Sequence, residues 1–172
     1  MVMRAFRYRL PRLLLALALP VGIAACAPAP IYKTGPSVVV AAPQQVVAAP
    51  GDFHSSEIVS GGSVVSVHNL ENQTEIEILG YPLDSSQRPR TDQPPYGRFI
   101  AVVPGFVEPM NYPTGSLVTL RGTVLGSRQG DVGNASYDFP LVRSLEMHRW
   151  TPEEMRQGHP NISFGVGVGV IR

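Results

Sequence analysis

Between Glu57 and Trp150 apolar and polar residues alternate with the period of two that marks strands buried on one face. "SVVSVHN" (63–69) and "TEIEIL" (74–79) predict a first pair of strands, and the polar "LENQ" between them suits a hairpin turn. "GRFIAVVPGF" (97–106) predicts a third strand, "GSLVTLRGTVLG" (115–126) a fourth and "SYDFPLVRSLEMHRW" (136–150) a long fifth. Pro140 has no N–H to give to a ladder, so the fifth strand is expected to bend near it. In the fourth, Val118, Leu120 and Val124 alternate with Thr119, Arg121 and Thr123. Gly122 falls on the apolar face there, which predicts a bulge or sharp bend.

Five strands in about 94 residues are enough for one modest core. No long amphipathic helix interrupts them, so the fold class is all-β. Glycine bends and long loops favour a small OB-like β-barrel, with a small sandwich as the alternative. The helix that usually joins the third and fourth strands of an OB barrel has no strong candidate.

The chain before this domain has a different pattern. Arg4, Arg7, Arg9 and Arg12 precede an apolar run from Leu13 to Ala25, which is the layout of a secretory signal and short for a membrane span. The run ends in "IAAC", where Cys26 is the only cysteine, so no internal disulfide or cysteine metal site can form. The motif resembles the lipobox of bacterial lipoproteins. That resemblance implies cleavage before Cys26, which becomes the first residue and carries acyl chains, and, because Ala27 rather than Asp follows, sorting to the outer membrane. Residues 27–52, with Pro28, Pro30, Pro36, Pro43 and Pro50, are expected to be a mobile extended tether, or else to pack back on the domain through their valines. The organisation is thus a signal peptide (1–25), a lipidated cysteine with a Pro-rich tether (26–56), a barrel (57–150) and a tail (151–172).

Charge changes meaning once the leader is set aside. The whole chain has 14 Lys+Arg against 13 Asp+Glu. Four of the arginines precede Cys26, leaving 10 basic against 13 acidic residues and a net charge of −3. A basic nucleic-acid surface is not supported. Tyr137, Phe139 and Trp150 could form a stacking platform of the kind that binds single strands, but packing is the expected role.

Glu75 and Glu77 pose the question of catalysis. They are two residues apart on a strand and share a face, while Ile76 and Ile78 take the other. This makes the glutamates the solvent face. An envelope hydrolase using Glu75, Glu77 or Asp84 is the alternative, and a Glu turned into the barrel would need Arg98 or Arg121 beside it. In the loop that follows, Asp84 is expected to bond to backbone N–H groups two residues on, and Arg88 or Arg90 to pair with Asp84 or Asp92. If a ligand or partner surface exists there, Asp84, Arg88 and Arg98 would line it. His54, His68, His148 and His159 form no HxxxH or HExxH motif, so no metal is expected. No cofactor is expected beyond the lipid on Cys26. "GSRQGDVGNAS" (126–136) lacks the Lys-Ser/Thr end of a P-loop and reads as a hairpin.

"TEIEILGYPLD" with "RP", "GRFIAVVPGFVEP", and "GDVG" followed by "YDFPLV" and Trp150, occur in this order over residues 61–150. Together they resemble the Slp family, the starvation-inducible outer-membrane lipoproteins of Gram-negative bacteria. The resemblance implies an outer-membrane location, a periplasm-facing domain and a stress-related role without enzyme activity. The chain departs from the family pattern just before Gly61 and in its tail. There Thr151, Pro152 and Glu154 predict a capping box for a short helix. Asn161 to Arg172 then alternates apolar residues with glycines, which predicts an extra barrel strand, a self-association strand or a lipid contact.

Overall fold

A computed structural model describes residues 29–33, 35, 38–40, 45, 48–53 and 55–157. The leader, Cys26, His54, His159 and the Asn161–Arg172 segment lie outside the described residues. The strands are β1 (Val38–Val40), β2 (Glu57–Asn69), β3 (Gln73–Gly80), β4 (Gly97–Pro104), β5 (Leu117–Val132) and β6 (Ala135–Arg149). Two short helices, α1 (Pro50–Phe53) and α2 (Pro152–Gln157), flank the barrel strands.

The sheet runs β2-β3-β4-β6-β5 and returns to β2, so five strands close a ring. Neighbours are antiparallel except β4 and β6, which pair in parallel from Ile100–Leu141 to Val102–Arg143. This is the OB topology, and the all-β barrel expected from the alternation is what forms.

Closure depends on β2, which begins six residues earlier than the alternation suggests. Its first half, Glu57 to Ser63, pairs with β5 and its second half, from Gly62, pairs with β3. The turn from one partner to the other takes place at Gly61–Gly62. A Cβ on Gly62 would stand 2.0 Å from the Leu79 carbonyl oxygen, so only glycine lets the backbones approach this closely. The same logic applies at Gly122, where a Cβ would meet the Arg143 carbonyl oxygen at 2.4 Å. The register slips beside it, with Arg121 opposite Glu146 and Gly122 opposite Ser144. The bulge predicted from the glycine is therefore present, with Leu145 as the extra residue on β6. A second slip, between Val124 and Gly126, lies opposite Val142 and Leu141. Its extra residue is Leu125 on β5, and β6 runs through Pro140 as one strand, with Pro140 opposite Ser127.

Alternation decides the core. Ile58, Val64, Ile76, Ile78, Phe99, Ala101, Val118, Leu120, Val124 and Val142 form one buried cluster inside the ring. The run Phe99 to Val102 is buried on both faces. Phe99 and Ala101 point into the ring, while Ile100 and Val102 pack outside against Phe139, Tyr137 and Leu141 of the long hairpin. That hairpin, β5 to β6, turns at Gly133–Asn134, as "GSRQGDVGNAS" predicts. Between β4 and β5 a loop with a single 3-10 turn, Pro109–Asn111, stands where a helix usually sits. Its Val107 and Tyr112 pack against the core.

The described residues of the 27–52 segment include ones that take the second course expected of it, packing back on the domain. β1 pairs in parallel with Glu57–Val59, on the edge of β2 that β5 leaves free, and Phe53 packs on the core. An open edge is a liability that this pairing covers. Substituting Gly62→Ala is expected to cost about 1–3 kcal/mol in urea unfolding, from the steric overlap. Gly35→Ala, where nothing lies within 4 Å, is expected to leave the midpoint unchanged.

Candidate functional site

The loop after β3 is built by Asp84. Its Oδ1 accepts hydrogen bonds from the backbone N–H of Ser86 (2.8 Å) and Arg88 (2.9 Å). Its Oδ2 takes Arg88 Nε and Nη2, each at 2.7 Å. Leu83 bridges to Pro89, and Arg90 N–H donates to the Pro82 carbonyl at 2.7 Å. Arg90 pairs separately with Asp92 at 3.0 Å. The Asx turn and the arginine pairing expected from the sequence are both present. Arg98 stands apart from this clamp: it binds Glu77 at 2.6 Å, and its N–H donates to the Tyr137 hydroxyl at 2.7 Å.

The clamp holds Gln87 in an uncommon conformation. Gln87 has φ +67°, a left-handed geometry that costs a non-glycine residue roughly 1–2 kcal/mol. The side chain is buried and meets Tyr32 from the tether. Gln87 Oε1 accepts the Tyr32 N–H at 2.8 Å, and Gln87 Nε2 donates to the Tyr32 carbonyl at 3.1 Å. One side-chain amide thus pairs with both backbone groups of Tyr32, as a neighbouring strand would. Tyr32 is only 8% exposed, and its hydroxyl donates to the Thr119 carbonyl at 3.2 Å. Burial, with the negative charge of Glu146 adding to it, raises the Tyr32 pKa to about 12, so the hydroxyl stays a donor at any physiological pH.

Thr119 is the hub of this socket. Its hydroxyl donates to the Gln87 carbonyl at 2.6 Å and accepts from Trp150 Nε1 at 2.9 Å. The alternation places Thr119 on the wet face of β5, yet it is fully buried because the loop, Tyr32 and Trp150 cover it. The buried Ser86 hydroxyl has no partner among the described residues. Trp150 stacks edge-on against His148 with ring centroids 4.6 Å apart. His148 Nε2 lies 3.3 Å from Glu154 Oε1 without hydrogen-bond alignment. Glu154 also closes the predicted capping box: it accepts from Thr151 N–H at 2.7 Å, and its own N–H donates to Thr151 Oγ1 at 3.2 Å. Burial pushes its carboxyl up, but the Thr151 hydrogen bonds and the nearby His148 outweigh that and leave the pKa lowered. Arg88 Nη1 reaches the Glu154 carbonyl at 3.4 Å and ties α2 to the loop.

The paired glutamates face outward. Ile76 and Ile78 are fully buried, as the alternation predicts. Glu75 receives both terminal nitrogens of Arg128, at 2.9 and 2.7 Å. Glu77 takes Arg98 and the Ser66 hydroxyl, the latter at 3.3 Å. Arg121 joins Glu57 at 2.9 Å and also Glu146. Each arginine proposed as a buried partner is therefore on the outer surface with its carboxylate. Hydrogen bonds from Arg128 hold the Glu75 carboxyl below its usual range against the opposing effect of burial, which suits a permanent anion rather than a proton donor.

A cavity of about 300 Å³ opens beneath the β4–β5 loop, lined by Ile76, Val103, Val107, Tyr112, Met147 and Glu146 among others. Phe106 and Met110 on the same loop are 72% and 84% exposed. Asn69 Nδ2 bonds to the Val107 carbonyl at 3.0 Å and links this loop to the β2–β3 turn with its exposed Leu70. Phe139 and Trp150 are buried in separate places, so with Tyr137 they make a packing set and no exposed platform. Among the described residues no group of three or more His, Cys, Asp or Glu could hold a metal ion. No helix among them is long and apolar enough to cross a membrane.

Sequence reasoning singled out Asp84 and Arg88, which the structure brings together, and Arg98, which it pairs with Glu77. It missed Tyr32, Gln87 and Thr119. The one available signal was a lone aromatic residue in a spacer rich in Pro, Ala and Val.

Residues 23–166 match the model of the outer membrane lipoprotein Slp family. Similar proteins include the uncharacterized lipoprotein YeaY of Escherichia coli K12, 38% identical over 112 residues, which covers 63% of this chain and 58% of YeaY. An uncharacterized protein of Haemophilus influenzae is 35% identical over 99 residues, or 57% of this chain and 54% of its own length. Outer membrane protein Slp of E. coli is 31% identical over 120 residues, or 69% and 63%. The chain thus spans between about half and two thirds of each relative's length. Among solved structures, Rim1, a mitochondrial single-stranded DNA binding protein of S. cerevisiae, aligns with 57% of this chain and 95% of its own at 15% identity and TM-score 0.36. A small single-stranded DNA-binding protein of Streptomyces coelicolor aligns with 55% and 94% at 11% identity and TM-score 0.36. Likeness at that level carries nothing about function.

Replacing Glu75→Gln is expected to cost about 0.5–1 kcal/mol near neutral pH, the range of an exposed ion pair with good geometry. Because the folded pKa is lowered, this contribution is present above the ordinary carboxylate range and is lost as pH falls through the folded value. Parallel urea titrations of both proteins down the acid range should show their difference shrinking, and more so in high salt.

Proposed function

Because this chain belongs to the outer membrane lipoprotein Slp family, we propose that it is a non-catalytic outer-membrane lipoprotein, acylated on Cys26, with its barrel in the periplasm. The observation that carries this reading is the extent of the match. It begins at Ile23 and so includes "IAAC" with Cys26, the whole tether and the barrel. Anchoring by several acyl chains accords with about 0.8 kcal/mol for each buried methylene, more than a single chain gives. The covalent lipid is the only attached group this reading requires.

A binding role is supported over hydrolysis by where the carboxylates sit. Glu75, Glu77 and Asp84 are each occupied by an arginine, and none of the three lines the cavity. A general acid needs a raised pKa and a substrate cleft between two carboxylates. Among the described residues two surfaces are offered to an envelope protein or a small ligand: the polar loop of Asp84 and Arg88 with outward Arg98 on β4, and the β4–β5 loop with exposed Phe106 and Met110 and the cavity lined by its Val107 and Tyr112. The physiological setting we propose is envelope maintenance under starvation or related stress.

Cys26→Ser is the decisive variant. Cell fractionation is expected to move the protein out of the outer membrane, and in-cell crosslinking is expected to lose any partner that the parent captures there. Retention of Cys26→Ser with the outer membrane would refute the lipid anchor.

A further inference from the structure

Anchoring at Cys26 leaves open how far the barrel can stray from the membrane. If residues 27–52 were a free polyproline-like spacer, the first core residue after them, Phe53, could lie up to ~80 Å from the anchor. The docked Tyr32 changes that distance. It stands six residues after Cys26, so the chain between them spans at most ~20 Å fully extended.

We infer that the pocket of Gln87, Thr119 and Trp150 is a latch for Tyr32, and that it holds this face of the barrel within a short leash of the lipid anchor. The occupant is this chain's own tether. Three features argue for a dedicated site. Gln87 is kept in a left-handed backbone conformation by the Asp84 clamp, and strain of this kind persists only where the surroundings impose it. Its amide matches the donor and acceptor of one backbone residue, a pairing that a carboxylate could not make. A fully buried threonine on the outer wall of β5 binds the loop, the tryptophan and the tyrosine at once. Release of Tyr32 alone would pass the restraint to β1 at Val38, twelve residues from Cys26, and about double the reach to ~40 Å.

The inference rests on acylation of Cys26, and the test separates the two. Full-length lipoprotein carrying Ser85→Cys, on the exposed edge of the same loop, is labelled with a donor dye and reconstituted in phosphatidylethanolamine/phosphatidylglycerol vesicles with acceptor-labelled headgroups. Strong energy transfer is expected in the parent and a clear fall in Tyr32→Ala, Gln87→Ala and Gln87→Glu. Transfer that is unchanged in all three overturns the latch. Co-sedimentation with the vesicles reports the anchor independently. If the parent fails to sediment, the anchor reading falls, and the latch is then judged from amide hydrogen exchange at Tyr32. Protection in the parent that Gln87→Ala abolishes supports the latch, and equal exchange in both overturns it. Gln87→Glu keeps size and one acceptor, so it serves if the alanine variants fail to fold.

Discussion

The structure depends on one strand having two partners. β2 gives its first half to β5 and its second half to β3, and the ring closes only because the chain turns between them at Gly61–Gly62. A side chain at Gly62 would occupy the space of the Leu79 carbonyl. Closure removes the exposed edges that an open five-stranded sheet would otherwise present. It also creates a new exposed edge, because the first residues of β2 pair with β5 on one side and reach no part of β3 on the other. β1 fills that place in parallel. The attachment of the tether is thus a consequence of how the barrel closes.

Closure also decides which polar residues become buried. The loop from β3 to β4 must leave one strand end and return to the next, and it crosses the outer wall of β5 on the way. Thr119, polar by alternation, is trapped beneath it and must be satisfied there. A buried hydroxyl without a partner costs roughly 1–3 kcal/mol. The hydroxyl donates to the Gln87 carbonyl and accepts from the Trp150 indole, while Tyr32 donates to the carbonyl of the same residue. The left-handed Gln87 is the strained element of the arrangement, and Asp84 is what stabilises it.

The barrel was largely legible in the sequence, for a physical reason. A period of two with one buried face is a local signal, and it placed Ile76, Ile78, Val118, Leu120 and Val124 inside. Gly122 announced its bulge for the same reason, since a glycine on an apolar face has to serve the backbone. The capping box of Thr151 and Glu154 and the Asx turn of Asp84 are likewise contacts within four residues. What could not be read is long-range. Tyr32 meets Gln87 across 55 residues and Thr119 across 87. No periodicity encodes such a meeting, and proline content alone spoke for a spacer. The partnering of Glu75 with Arg128 and of Glu77 with Arg98 is equally a product of topology, although the outward direction of both glutamates followed from Ile76 and Ile78.

The arginines show how the carboxylates of this outer wall are held as permanent anions. Around the barrel, Glu57, Glu75, Glu77 and Glu146 are each met by an arginine from a neighbouring strand or from the hairpin. Guanidinium groups keep their charge at every relevant pH and hold carboxylates in forks, which fixes both partners as ions. A catalytic carboxyl has to exchange a proton, and pairing of this kind opposes that. Among the described residues the exposed large apolar side chains are Leu70, Tyr96, Phe106, Met110, Leu125 and Leu145, with Phe106 and Met110 the most exposed. Phe106 and Met110 stand on the loop whose Val107 and Tyr112 line the cavity. Covering Phe106 or Met110 would therefore gain more from desolvation than any contact along the polar wall, where each charge would first have to leave its present partner.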